Sequence, residues 1–203
     1  MSGKFWITAN NFDENKVSFS EPEDIGNRYI RYNVRYIYDN KSIRNLALTT
    51  DTSKDLITCF GFRKEVGQYA KPNQYQSTLV LNKNVDADCN LFRTIVNIVT
   101  KFKNDIIPDG ELKCPVKELE DDTVKLYTKP IQSNDGKMYT VMQNKSGEIV
   151  DVDILSDVFD CRPTISINFV VASDKKSSMK LQIARMYVSD IKENININLA
   201  DMD

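Results

Sequence analysis

TISINFVVA (164–172) and MKLQIARMYV (179–188) are two runs rich in β-branched, aliphatic and aromatic residues, joined by the polar SDKKSS (173–178). Side chains of that kind suit a pleated, half-buried surface, and the polar joint supplies a turn, so the pair is expected to form neighbouring strands. The flanking sequence has the same character. Upstream, VKLYTK (124–129) and KMYTVMQ (137–143) enclose a turn at Asp135-Gly136, and Ser146-Gly147 marks another turn before EIVDV. The apolar ILSDVF (154–159) reads as a single helical turn.

Earlier still, KFWITA (4–9), DLITCFGF (55–62) and YQSTLVL (75–81) are further β-capable runs, and residues 28–50 read as a hairpin about Asp39-Asn40. One segment breaks the pattern. In DADCNLFRTIVNIVTKFK (86–103), Leu91, Ile95, Ile98 and Phe102 recur at helical spacing, with Phe92, Val96 and Val99 widening the stripe. Asp86 or Asp88 is expected to cap its start, and Lys101 and Lys103 suit the negative end of its dipole. About eight short strands around one long helix predict a mainly β protein rather than an alternating βαβ sheet. The architecture that fits is an OB-fold-like five-stranded barrel with additional strands.

A chain of 203 residues, 41 % hydrophobic and 28 % charged, is large enough for one sizeable core. We expect one domain over residues 1–190 and a weakly acidic tail over 191–203. No apolar run reaches bilayer length, and MSGKFWITANN lacks the apolar core of a secretory signal, so an intracellular, non-membrane protein is expected. The four cysteines (Cys59, Cys89, Cys114 and Cys161) form no C-x-x-C pair and there is no histidine, so they read as reduced and mostly packed. Without histidine the Ser-His-Asp and Cys-His arrangements are excluded.

The net charge of −2 is unlike a simple basic nucleic-acid binder, but its distribution is uneven. Residues 28–103 hold 13 Lys plus Arg against 6 Asp plus Glu, a local +7 that leaves −9 on the rest of the chain. Within that region RYIRYNVRYIY (28–38) separates with period two. Ile30, Tyr32, Val34, Tyr36 and Tyr38 fall on a core side, and Tyr29, Arg31, Asn33, Arg35 and Ile37 on the other. The following stretch, RKEVGQYAKPNQY (63–75), mixes cations, aromatics, Gly and Pro as an exposed loop does.

Single strands of nucleic acid are held by cations that follow the phosphates and by aromatic faces that stack bases. Arg28, Tyr29, Arg31 and Arg35 on the strand, with Phe62, Arg63, Lys64, Tyr69, Lys71 and Tyr75 around the loop, supply both ingredients. They are the candidate binding residues for single-stranded DNA. A solvated strand face and an ordinary loop would show the same composition. No phosphate-cradling glycine loop occurs. DVD (151–153) and ELEDD (118–122) contain the oxygen ligands that Mg²⁺-dependent phosphoryl chemistry needs, yet charged turns between strands account for them, so no catalytic residue, metal or cofactor is assigned. Trp6 reads as core.

The order KLYTK, NDGKMYT, SGEIVDV, then RPTISINFVVASDKKSSMKLQIARMYV and an acidic ending, over residues 123–190, resembles the replicative single-stranded DNA-binding proteins of large double-stranded DNA viruses, which are similar to those of short-tailed phages. Pro163 stands where a proline opens the penultimate β run, and Ser178, Lys180, Leu181 and Gln182 carry the pattern of the last strand. The resemblance implies an OB-type barrel and non-catalytic, cooperative coating of single-stranded DNA in viral replication or recombination, at the site of viral DNA synthesis in the host cell. It also implies self-association as a homo-oligomer on the strand and replication partners, polymerase or helicase, at the acidic tail. The tail departs from the pattern, because Asp190, Glu193, Asp201 and Asp203 are dispersed among Asn and Ile. The alternative is a viral structural or protein-interaction β-barrel protein that binds no nucleic acid, since exposed Tyr and Arg also serve protein interfaces.

Overall fold

The computed structural model describes residues 7–38, 41–44, 46–50, 56–66, 73–173 and 176–191; Trp6, Tyr69, Lys71 and the tail from 192 onward lie outside them. In chain order come strands Ile7–Thr8 (β1), Val17–Phe19 (β2), Glu23–Asp24 (β3), the long Tyr29–Tyr38 (β4), Lys41–Arg44 (β5) and Leu46–Thr49 (β6). Ile57–Lys64 (β7) and Tyr75–Asn82 (β8) precede the helix Asp86–Ile106 (α1). Then follow Leu112–Lys113 (β9), Val116–Glu118 (β10), Thr123–Pro130 (β11) and Val141–Gln143 (β12). Phe159–Ile167 (β13), Phe169–Ser173 (β14), Ser177–Met179 (β15) and Leu181–Ile191 (β16) complete the order.

Five of these strands close on themselves. β7 pairs with β8, β8 with β11, β11 in parallel with β16, β16 with β13, and β13 back with β7. Closure leaves no stave with an unpaired ladder, and the order is that of an OB-type barrel: a three-stranded meander, then a fourth strand beside the first and a fifth parallel to the third. Period-two alternation sends Cys59, Leu79, Leu81, Val124, Leu126, Phe159, Cys161, Ile183 and Val188 inward, each buried. Among the cysteines Cys59 and Cys161 are buried, Cys89 is half-buried and Cys114 exposed, all as free thiols.

A second sheet is built around β4, which pairs with β3 and β14 along its first half and with β2 and β5 along its second. The expected 164–172 strand is in fact two. Asn168 interrupts it, its carbonyl accepting Val34 N–H at 2.9 Å and its amide donating to Gln182 Oε1 at 3.0 Å, so β13 stays in the barrel while β14 joins β4. The same crossing occurs at Lys180 between β15 and β16. The expected hairpin of 28–50 is likewise split, since β5 pairs with β4 but β6 leaves to pair with β13.

Helix α1 joins the two sheets. Its stripe of Leu91, Ile95, Ile98 and Phe102 is buried, and the Phe102 ring meets Phe19 of β2 and Tyr32 of β4 edge-on at 5.1 and 5.7 Å. Such pairs add about 0.5–1.5 kcal/mol each beyond their area. Neither aspartate caps the helix: Val85 occupies the N-cap without a side-chain bond, and Asp88, buried, instead accepts Asn82 N–H at 2.8 Å to lock the corner after β8. No helix among the described residues is long and apolar enough to cross a membrane.

Candidate nucleic-acid interface

The outward faces of β7, β8 and β11 form three cross-strand rows. Register places Lys125 beside Val80 and Thr58, Tyr127 beside Thr78, and Arg63 beside Gln76. Continuing the alternation of β11 brings Lys129 to the Arg63 row, and Phe60 flanks Thr78 on β7. Phe60, Arg63, Gln76, Thr78, Lys125, Tyr127 and Lys129 from these rows line a groove of about 510 Å³. Tyr127 is 48 % exposed at its centre, with Lys125 and Lys129 two residues away on either side along the same strand face.

Gly61 makes this face possible. Its φ of +74° and the register shift between Cys59 and Phe62 insert a bulge, so Phe60 points out, Phe62 points in, and Arg63 returns to the groove. A Cβ at Gly61 would stand 2.2 Å from the Ser156 carbonyl oxygen, so the loop after the Val152–Ile154 turn can rest there only on glycine. The loop is tied down by Phe62 N–H, which donates to the Leu155 carbonyl at 2.7 Å.

The cations differ in their partners. Arg63 makes no ion pair among the described residues. Lys125 exerts a longer-range pull on Asp121, whose carboxyl is held below its usual range chiefly by hydrogen bonding from Thr123. Lys129 pairs with the Glu65 carboxylate, which stands just beyond β7.

Of the candidate residues read from the sequence, Arg63 alone among those described lines the groove. Phe62 is buried, its ring stacked on Phe159 at 6.3 Å, and Tyr75 is buried with its hydroxyl donating to Asp153. That bond pushes the Tyr75 phenol up to about 12. Lys64 alternates away from Arg63 and lies over the Tyr75 ring at 5.7 Å. Both acidic clusters have structural work: Asp151 accepts Asp153 N–H at 3.0 Å, and Glu118 pairs with Lys83 at 3.1 Å.

The arginine face of β4 belongs to the other sheet and contributes nothing to the groove. Val34 and Tyr36 are buried and Tyr32 is half-buried as the alternation requires, but Ile30 and Tyr38, expected on the core side, are exposed at the two ends of the strand, and Tyr29 is exposed too. Arg31, however, is held by Glu23 of the adjoining β3, with Nη2 2.7 Å from a carboxylate oxygen, and its guanidinium lies 5.8 Å from the Phe169 ring. Arg35 is half-buried beside Ser18 of β2, and Arg28 sits in a left-handed turn ahead of the strand at φ +64°. The groove residues missed in the sequence, Phe60, Lys125, Tyr127 and Lys129, did leave a signal: K-x-Y-x-K in VKLYTK places two cations astride one aromatic on a single face.

No protein-family model and no curated protein sequence matches the chain. Among solved structures it is similar to gp2.5, a single-stranded DNA-binding protein encoded by bacteriophage T7, at 14 % identity and a TM-score of 0.41 over 78 % of this chain and 95 % of that one. It is also similar to the single-stranded DNA-binding protein of bacteriophage Enc34, solved in complex with single-stranded DNA, at 10 % identity and a TM-score of 0.44 over 86 % of this chain and 97 % of that one. At this level of likeness the barrel assignment rests on the strand pairing itself.

Proposed function

We propose that the chain is a non-catalytic single-stranded DNA-binding protein that takes the strand across the outer face of β7, β8 and β11. The observation that carries this is Tyr127, half-exposed in a groove and bracketed by Lys125 and Lys129. Barrels of this topology take oligonucleotides on the face of their second and third staves and on the loop between the first and second, which here are β8, β11 and residues 65–74. In this reading Tyr127 and Phe60 stack bases, and Arg63, Lys125 and Lys129 take phosphates without reading sequence. Coating and protection of DNA during viral replication or recombination, self-association along the strand, and replication partners at residues 191–203 belong to the same reading.

A fluorescence titration with oligo-dT across a salt series tests it. Three phosphate contacts set the limit on the salt dependence: log affinity falls against log salt with a slope no steeper than about −2, at roughly −0.7 per contact on single strands. Absence of binding at low salt would turn the reading over to the structural-protein alternative, and parallel titrations with duplex DNA and RNA define the preference.

A further inference from the structure

The only carboxylate paired with a groove cation among the described residues is Glu65, and its position is not accidental in the fold. Glu65 N–H donates to the Gln74 carbonyl at 2.8 Å, closing the base of the loop between β7 and β8, and Gln74 is anchored in turn by its amide on the Ser133 carbonyl at 2.8 Å. The backbone of Glu65 is thereby held beside the row that contains Arg63 and Lys129. Its side chain is only 17 % exposed, whereas that of Lys129 is 42 % exposed. Lys129 lines the groove and the more buried Glu65 does not, so the carboxylate holds the lysine from outside the space through which a phosphate would approach.

From this geometry we propose that Glu65 is a built-in competitor for the nucleic-acid phosphodiester, occupying Lys129 in the free protein and released when the strand binds. The proposal rests on the DNA-binding reading above. A carboxylate and a phosphodiester each present anionic oxygens to the same ammonium, and although its three N–H donors could reach both, the two anions repel and share the charge of one cation, so each weakens the other's hold. Binding at this end of the groove is then weakened by the fraction of molecules in which Lys129 is already engaged. Among the described residues neither Arg63 nor Lys125 is ion-paired to a carboxylate, so the strand is captured first at those positions and gains its full hold on Lys129 as Glu65 is displaced. The ion pair also makes the groove less cationic than its three basic residues imply, which lowers the number of counterions that binding sheds.

The test is a two-by-two set of full-length proteins: wild type, Glu65→Gln, Lys129→Gln and the double variant, titrated with oligo-dT at several salt concentrations, with thermal unfolding as a control for folding. Glu65→Gln is expected to tighten binding about fivefold at low salt, the scale of a partly exposed ion pair, and to steepen the log–log salt slope by about 0.7, one phosphate's worth. Lys129→Gln is expected to weaken binding, and adding Glu65→Gln to it should bring no gain. If Lys129→Gln weakens binding but Glu65→Gln leaves affinity and slope unchanged, or if its gain persists without Lys129, the competitor role is overturned and the interface stands. If wild type shows no affinity for oligo-dT, the interface falls and the competitor role with it.

Discussion

β4 and β11 carry the same ingredients, alternating tyrosines and cations on a strand, and they end in opposite situations. On β4 the neighbouring β3 brings Glu23 directly across from Arg31, and the Phe169 ring of β14 lies beside the guanidinium, so the Arg31 charge is taken up in holding a sheet together even though Tyr29 and Tyr38 stay exposed. On β11 the groove-side neighbour is β8, whose outward residues Gln76, Thr78 and Val80 carry no charge, while β10 sets Lys117 opposite Lys125. Tyr127 stays open between two lysines, and Lys129 meets its carboxylate, Glu65, from just beyond β7 rather than across a ladder. Composition alone does not separate the two strands. What separates them is the residue that pairing places opposite each cation, since an opposing carboxylate neutralises locally while a neutral neighbour leaves the field directed at solvent.

The sharpest way to break the contrast is at the bulge that shapes the groove. Gly61→Ala imposes a left-handed φ on alanine and drives a Cβ into the Ser156 carbonyl, and is expected to lower stability by about 3 kcal/mol, read from denaturant midpoints. A stability within a few tenths of wild type would show that the bulge is not needed. Tyr127→Ala should leave folding intact and weaken oligo-dT by about 1–3 kcal/mol, tenfold or more at the centre of the range, with the salt slope unchanged because no phosphate contact is lost.

A third measurement probes the wall behind the groove. The Tyr75 phenol is raised from 10.0 to about 12 by its hydrogen bond to Asp153, so this contact stabilises the fold fully below pH 10 and is lost as pH climbs through 12. Tyr75→Phe should therefore be less stable than wild type at neutral pH, and the gap should narrow between pH 10 and 12; a constant gap would refute the linkage. The smallest effect is expected on the β4 side. Arg31→Ala with Arg35→Ala should change oligo-dT affinity less than twofold, and loss of the half-exposed Arg31–Glu23 pair should cost about 0.2–1 kcal/mol of stability. A large loss of affinity would move the interface to β4.

Much of the local structure was legible. The stripe in 86–103 marks a helix that in fact runs to Ile106, and 75–81 and 124–129 match β8 and β11 to within a residue at either end. The site was read less well, because Phe62 and Tyr75 look solvent-ready as part of a loop but are the last inward positions of β7 and the first of β8. Alternation would have placed Phe60 and Phe62 on one face, and only the bulge at Gly61 divides them. EPEDIGN (21–27) is polar and acidic with no apolar alternation to mark a strand, so nothing in it announced a partner for Arg31.

By itself the sequence determined the elements whose cause is local: the 3.6-residue stripe of α1, the period-two alternation inside β8, β11 and the middle of β4, and the turns at Gly136 and Gly147. It also held the K-x-Y-x-K face of β11, since alternation along one strand needs no partner. Tertiary structure alone decided the closure of the barrel, where β7 meets β13 through pairs such as Cys59 with Phe159, separated by about half the chain's length. It decided too which cations remain available, because Arg31 opposite Glu23 and Lys129 against Glu65 are consequences of register and loop closure. Both are set by contacts between distant segments, whose entropy cost is met only when the whole barrel forms.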